Sequence, residues 1–136
     1  VVRRMARDLD IAIEIVACPT VREADGLALS SRNVRLSPAE RATAPKLARV
    51  LIAASRRLAA GADAEAVLSE AEAAILAAGF DSVEYLELRA DDDLARLDGP
   101  HRPARLLVAA WLGETRLIDN IEVVDNPENR MTFAAA

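Results

Sequence analysis

The sequence has few of the residues that most often mark function by themselves. Its 136 residues include one cysteine, one histidine and only 3% aromatics. The single cysteine, Cys18, excludes an intrachain disulfide and suits the cytoplasm. No apolar run approaches the roughly 20 residues that span a bilayer. Leu, Val, Ile and Ala must therefore fill the core of a globular protein that has no membrane span.

Lysine is also nearly absent, because Lys46 is the only one and arginine carries almost all of the positive charge. The formal net charge is −5, and the arginines are scattered along the chain. Nonspecific nucleic-acid binding depends on neutralising many phosphates with Lys and Arg. The balance of charge therefore argues against a nucleic-acid partner, although a small basic patch for one nucleotide remains compatible with it.

The chain begins without Met, inside a predicted helix. Val1, Val2, Met5 and Leu9 recur at helical spacing, and no N-cap precedes them. Residues 11–17, IAIEIVA, then predict a buried strand. A helix followed by a strand is the closing unit of an α/β domain. Residues 1–18 are accordingly predicted to be the remnant of a Rossmann-like nucleotide-binding domain, and the chain to be the C-terminal part of a longer protein.

Two further helices are well marked. Ser37, Pro38 and Glu40 predict a capping box with proline at the first helical position, while Pro45 should kink or divide that helix. Gly61 should end it. Asp63 predicts the cap of the next helix, which Gly79 should stop.

The pattern then changes to strands. Residues 83–89 (VEYLELR), 104–112 and 116–124 predict three strands, the second strongly apolar and therefore central. A hairpin turn at Gly113 joins the last two. The tail from Asn126 has little pattern. The predicted fold class is α+β, with helices packed on a small, three-stranded, mainly antiparallel sheet.

The main candidate site is the loop that follows residues 11–17. Ser30, Ser31 and Arg32 combine hydroxyls, loop amides and a guanidinium, which suit a phosphate chain. An ordinary polar loop would have the same composition, and composition alone favours it. Asp25-Gly26 is more typical of a turn than of a catalytic acid.

The remaining candidates favour structural roles. His101 lies between two prolines and lacks an indicated partner for a general base. The carboxylates at 91–93 indicate a capped, solvated turn better than a metal site. Asp119 or Asn120, interrupting an apolar strand, is expected to satisfy a buried backbone group or an arginine.

Residues 19–33, PTVREADGLALSSRN, followed by GETRLIDNI at 113–121, resemble the pantothenate synthetase (pantoate–β-alanine ligase) family. The resemblance implies a ligase in which ATP and pantoate form a pantoyl adenylate with release of pyrophosphate. β-Alanine then attacks the adenylate, giving pantothenate and AMP. It also implies Mg²⁺ bound through ATP and the N-terminal domain, and a homodimeric full-length enzyme.

The resemblance assigns the ATP-binding residues. Val21 would contact the adenine side, and the residues Leu29, Ser30, Ser31 and Arg32 would line the phosphates. Residues 19–36 would be the hinge and phosphate-contacting loop, and residues 37–136 a C-terminal lid. The family's histidine signature and its acyl-substrate pockets are not found in this sequence. No catalytic residue and no metal ligand is therefore assigned, and the isolated chain should be inactive.

One departure from the family pattern lies beside these residues, because members commonly have an aromatic residue at the position of Arg35. A competing hypothesis, independent of the resemblance, is a non-catalytic interaction module. It would pair a partner with the exposed edge of the strand at residues 11–17.

Overall fold

The computed structural model describes residues 1–123. The elements, in chain order, are helix α1 (Val2–Asp8), a 3₁₀ helix (Ser31–Arg35), helices α2 (Pro38–Thr43), α3 (Lys46–Ala59) and α4 (Ala64–Ala77), and strands β1 (Ser82–Ala90), β2 (Ala104–Leu112) and β3 (Thr115–Glu122). The predicted end of the third strand at Val124 and the tail from Asn126 lie outside the described residues.

The start of α2 is built as its sequence predicts. The Ser37 hydroxyl accepts the Glu40 N–H at 3.3 Å, and the Glu40 carboxylate accepts the Ser37 N–H at 2.7 Å. This reciprocal pair satisfies two amides that the first turn of a helix leaves without partners. Pro45, which cannot donate to the helical ladder, divides the predicted helix into α2 and α3.

Helix α4 is also confirmed at both ends. The Asp63 carboxylate accepts the Ala66 N–H at 2.8 Å, which caps the first turn. Gly79 follows the last turn with a φ of +110°, a left-handed conformation that glycine adopts without steric cost.

The strands form one antiparallel sheet in the order β1-β2-β3. The predicted central position of β2 is confirmed, with Leu106 opposite Leu88 on one side and Ile121 on the other. Gly113 closes the β2–β3 hairpin with a φ of +57°, as a tight turn requires. The α+β class and the antiparallel sheet are therefore confirmed.

Helices α3 and α4 cover one face of the sheet, and the core lies between the two layers. Leu51, Leu58 and Ile75 from the helices meet Leu88 and Leu106 from the strands, and all are buried. The alternation of β3 places Leu117 and Ile121 inward as predicted, and Val123, just after the strand, is also buried. Among residues 1–123, no helix combines the length and apolar character needed to cross a membrane.

The strand predicted at residues 11–17 is wrong for this chain as it stands. These residues form no ladder with any described strand, and most of their side chains are exposed. A strand needs a neighbouring strand to satisfy its backbone groups, and the sheet of this chain uses only β1, β2 and β3. The segment instead lies against α1, where the Arg3 side chain donates to the Ile15 carbonyl at 3.2 Å.

Neighbouring leucines on β2 test the layered packing. Leu106 points into the core and is fully buried, whereas Leu107 lies on the opposite, partly open face. We expect Leu106→Ala to lower the free energy of unfolding by about 2–5 kcal/mol, because it removes buried methyl groups and leaves a cavity. Urea denaturation measures the change. Leu107→Ala is the matched control, and an equal loss for both variants would contradict the assignment of the inner face.

Candidate functional site

The candidate loop contains a small hairpin, residues 21–29. Its two arms pair antiparallel at Arg22 and Ala28. The Glu23 N–H donates to the Leu27 carbonyl at 2.8 Å, and the Leu29 N–H donates to the Val21 carbonyl at 2.9 Å. The loop is therefore an ordered element of secondary structure for most of its length.

Asp25 and Gly26 form the tip of this hairpin, which confirms the predicted turn. Gly26 has a φ of +95°. The Asp25 carboxylate accepts the Leu27 N–H at 3.1 Å, so the side chain closes the turn on its own backbone.

Arg22 joins the hairpin to the sheet. Its guanidinium donates to both carboxylate oxygens of Asp119, at 2.7 and 3.0 Å. The side chains are only 15% and 3% exposed, and Asp119 lies on the helix-facing side of β3. The prediction that a polar residue at 119 or 120 satisfies an arginine is confirmed, and Asn120 likewise accepts from Arg105 at 2.7 Å.

Arg41 of α2 holds the other side of the hairpin. It donates to the carboxylates of Glu23 and Asp25, each at 2.6 Å. Partial burial works to raise the pKa of Asp25, but the hydrogen bonds from Arg41 and from the Leu27 amide, together with the Arg41 charge, leave that pKa below its ordinary value. Both acids of the loop are therefore compensated internally.

The 3₁₀ helix Ser31–Arg35 follows at once. Ser30 caps it by accepting the Arg32 N–H at 3.1 Å. Asn33 ties it back to the hairpin, because its Nδ2 donates to the Glu23 carboxylate at 3.0 Å and to the Ala28 carbonyl at 3.1 Å.

The structure brings part of the predicted ATP-binding set together. Leu29, Ser30 and Arg32 line a cleft of about 330 Å³, whose other walls come from α3 and from β1, β2 and β3. Val21 and Ser31 are exposed and lie outside this lining. Within residues 1–123, the Arg32 side chain makes no ion pair or hydrogen bond, although it carries a full charge beside the cleft.

The other candidates stay apart from this cleft. His101 is exposed, with its Nδ1 3.6 Å from an Asp98 carboxylate oxygen, and does not line the cleft. The acids at 91–93 form the predicted turn, and the Arg102 guanidinium contacts two of them at 3.1 and 3.0 Å. In the part of the chain that the structure describes, no three potential metal-ligating side chains cluster.

Sequence reasoning missed the residues that hold the loop. Arg22 and Glu23 both take part in internal ion pairs. Arg41 and Asn33 were not singled out. The available signal was local charge balance. Two acids in the loop are followed by a helix that carries an arginine, and these side chains can form ion pairs with one another.

Comparisons with known proteins show the family to which the chain belongs. The family model described as pantoate-beta-alanine ligase matches residues 1–122. The chain is 68% identical over 123 residues to a pantothenate synthetase of Chelativorans sp., covering 90% of this chain and 43% of that protein. It is 56% identical to one from Ruegeria sp., of which it covers 44%. The chain thus spans less than half the length of these relatives.

Solved structures give the same result. The pantothenate synthetase of Thermus thermophilus matches with a TM-score of 0.83 and 45% identity, over 90% of this chain and 45% of that one. The pantoate-beta-alanine ligase of Francisella tularensis, complexed with β-γ ATP and β-alanine, matches with a TM-score of 0.62 and 27% identity, over 93% of this chain and 40% of that one.

The Arg41 contacts predict how stability depends on pH. The folded pKa of Asp25 lies below its ordinary value of 3.8. Its ion pair therefore adds stability above that pH and loses it as the pH falls through the folded pKa. Because the pair is partly exposed, we expect the contribution to be about 1 kcal/mol or less.

Asp25→Asn should lower stability near about pH 7 and lose less of it than the unsubstituted chain on acidification to about pH 3. Urea denaturation at the two pH values measures both effects. Glu72→Gln, which removes an exposed carboxylate of α4, is the control. Identical pH profiles for the two variants would contradict a role for the Arg41 contact.

Proposed function

The chain belongs to the pantoate–β-alanine ligase family, and we propose that it supplies the C-terminal lid and half of the ATP site of a complete, ATP-dependent ligase. That enzyme would condense pantoate with β-alanine through a pantoyl adenylate, releasing pyrophosphate in the first step and AMP in the second. The relatives' names and the coverage of less than half of their length support this division of the molecule.

The single observation that carries the proposal is which charged side chains of the loop have ion-pair partners and which do not. Arg22, Glu23 and Asp25 are all neutralised by partners in the fold. Arg32, by contrast, lines the cleft without an ion pair among residues 1–123. A guanidinium without a partner, held at the rim of a cleft, suits a phosphate group because it offers several donors in one plane.

Arg32 would then stabilise the negative charge that develops on the departing pyrophosphate as the pantoate carboxylate attacks the α-phosphate of ATP. Electrostatic stabilisation of this kind supplies much of the catalysis in phosphoryl and adenylyl transfer. Val21 would contact the adenine side of the nucleotide, and Leu29, Ser30 and Ser31 would line its phosphates beside Arg32. The structure of the Francisella tularensis ligase, which is complexed with β-γ ATP, is consistent with an ATP site in the family.

Mg²⁺ would enter bound to the triphosphate and would be held mainly by the rest of the enzyme. Glu23 and Asp25, the acids of the hairpin that precedes the 3₁₀ helix, are occupied by Arg41. We therefore assign no Mg²⁺ ligand to this chain. The ion would contribute charge neutralisation on the phosphates.

The proposed division is a remnant of the nucleotide-binding domain at residues 1–18, a hinge and phosphate loop at 19–36, and the lid at 37–136. Exposed apolar residues support the first part, because Val2 and Met5 of α1, with Leu9 and Ile13 beyond it, present a surface that a domain would bury. By the same family relationship, the complete enzyme would be a cytoplasmic homodimer. A non-catalytic interaction module is not favoured, since the family match covers residues 1–122.

Activity of the isolated chain gives a direct test. We expect the 136-residue chain, mixed with ATP, pantoate and β-alanine, to release no AMP above background, because the family resemblance places the acyl-substrate pockets in the rest of the enzyme. The complete enzyme, or a chimera in which this chain replaces the matching 43% of the Chelativorans protein, should release AMP only when both acids are present. AMP release by the isolated chain would contradict the proposed division.

Arginines at two positions of the 3₁₀ helix separate a phosphate contact from general positive charge. In the complete enzyme, Arg32→Ala should lower the rate of pyrophosphate release by about 10²- to 10³-fold, as expected for loss of one transition-state donor. Arg35→Ala, an exposed arginine of the same helix that does not line the cleft, and His101→Ala are the controls. Equal losses for Arg32→Ala and either control would count against the assigned role.

A further inference from the structure

The proposed phosphate loop, residues 19–36, is joined to the lid by an ion pair between residues that are far apart in sequence. Arg22 and Asp119 are 97 positions apart in sequence, and the pair they form is almost enclosed. The Arg22 guanidinium also contacts the carbonyls of Gly26 at 3.1 Å and Asn120 at 3.4 Å. Arg22 therefore fixes the tip of its own hairpin and the edge of β3 together.

This geometry determines where Ser30 and Arg32 lie. Arg22 pairs across the hairpin with Ala28, which is two residues before Ser30. A displacement of Arg22 therefore moves the start of the 3₁₀ helix. A two-point guanidinium–carboxylate contact also fixes orientation as well as distance, which one hydrogen bond does not.

A second path reaches the same 3₁₀ helix from α2. Arg41 holds Glu23, and Glu23 accepts from Asn33 inside the 3₁₀ helix. The hairpin and the 3₁₀ helix are thus tied to the lid from both sides.

Residues 1–20 show the opposite behaviour. Their hydrogen bonds and ion pairs are all internal, such as the contact of Arg3 with Ile15, and none joins them to residues 21–123. Residues 16–20 make no hydrogen bond within the described chain. The hydrogen bonds that join the loop to the lid therefore begin at Arg22.

We infer that Arg22 and Asp119 are a positioning pair that makes residues 21–36 move as one body with the lid, on a pivot at residues 16–20. The inference rests on the proposed function. Ser30 and Arg32 would then reach the nucleotide only when the lid closes, so that assembly of the phosphate site and exclusion of water occur in one motion. Arg22 and Asp119 touch no reacting atom in this scheme.

Hydrogen exchange on the 136-residue chain tests the mechanical part without any activity. In Asp119→Asn, the amides of Glu23 and Leu29, which close the hairpin, should exchange at least about 10-fold faster, while amides at the centre of β2 keep their protection. Glu70→Gln, which breaks the exposed ion pair with Arg57, is the matched control. Equal hairpin exchange in the two variants would overturn the inference.

Kinetics of the complete enzyme test the consequence for the site. Asp119→Asn should raise the KM for ATP by about 10-fold and lower the adenylation rate, with the KM for β-alanine unchanged. A merely destabilised protein would lose active molecules, which lowers the apparent kcat and leaves both KM values alone. Asp119→Glu, which keeps the charge, should recover part of the ATP effect, and unchanged ATP kinetics in Asp119→Asn would overturn the proposal.

A conservative change covers the case in which Asp119→Asn does not fold. Arg22→Lys keeps the charge but cannot make the two-point contact. Faster exchange confined to the hairpin in this variant supports the positioning role, and exchange equal to that of Glu70→Gln overturns it. A complete enzyme that forms no adenylate would refute the proposed function, whereas the exchange result would stand by itself.

Discussion

The salt bridge between Arg22 and Asp119 is the contact on which the order of the loop depends. Leu27 packs into the core, but most of the loop is polar, so its orientation must come from directed polar contacts. This one is two-pronged and nearly enclosed, and breaking it would leave a charge with little water around it. Arg41 and Asn33 complete the support, so that a stretch with the composition of an ordinary surface turn is fixed relative to the sheet.

The Arg22–Asp119 salt bridge can position the loop only if the domain that carries Asp119 is itself rigid. This domain is built almost without aromatic side chains. Small residues such as Ala48, Ala54 and Ala71 are buried where the helices meet the core, and leucines such as Leu58 and Leu106 fill the space between the layers. Because small side chains let backbones approach closely, two helices and three short strands form a packed core to which residues 21–36 are anchored.

The charged residues of the loop fall into two groups, one that holds the loop in place and one that is proposed to act on the substrate. Arg22, Glu23 and Asp25 are consumed by internal ion pairs, while Arg32 remains directed to a cleft. The charges that hold the loop are therefore distinct from the charge proposed to meet the phosphates. A site of this kind can bind an anion without loosening its own support. Membership of the pantoate–β-alanine ligase family gives that anion an identity, the triphosphate of ATP, as a proposal for the complete enzyme.

Signals that act within a few residues could be read from the sequence alone: the capping box at residues 37–40, the division of the helix at Pro45 and the Asp25-Gly26 turn. Each is decided by local hydrogen bonding or by a restricted φ, so no distant residue can change it. The strand expected at residues 11–17 did not form, because a strand needs a neighbouring strand. The hydrophobic pattern of a segment indicates which secondary structure it can adopt, but not which segments will lie beside it. The partner of Arg22 was decided only by the tertiary fold, since any of the 22 acidic residues could have paired with it until the register of β3 brought Asp119 to the hairpin.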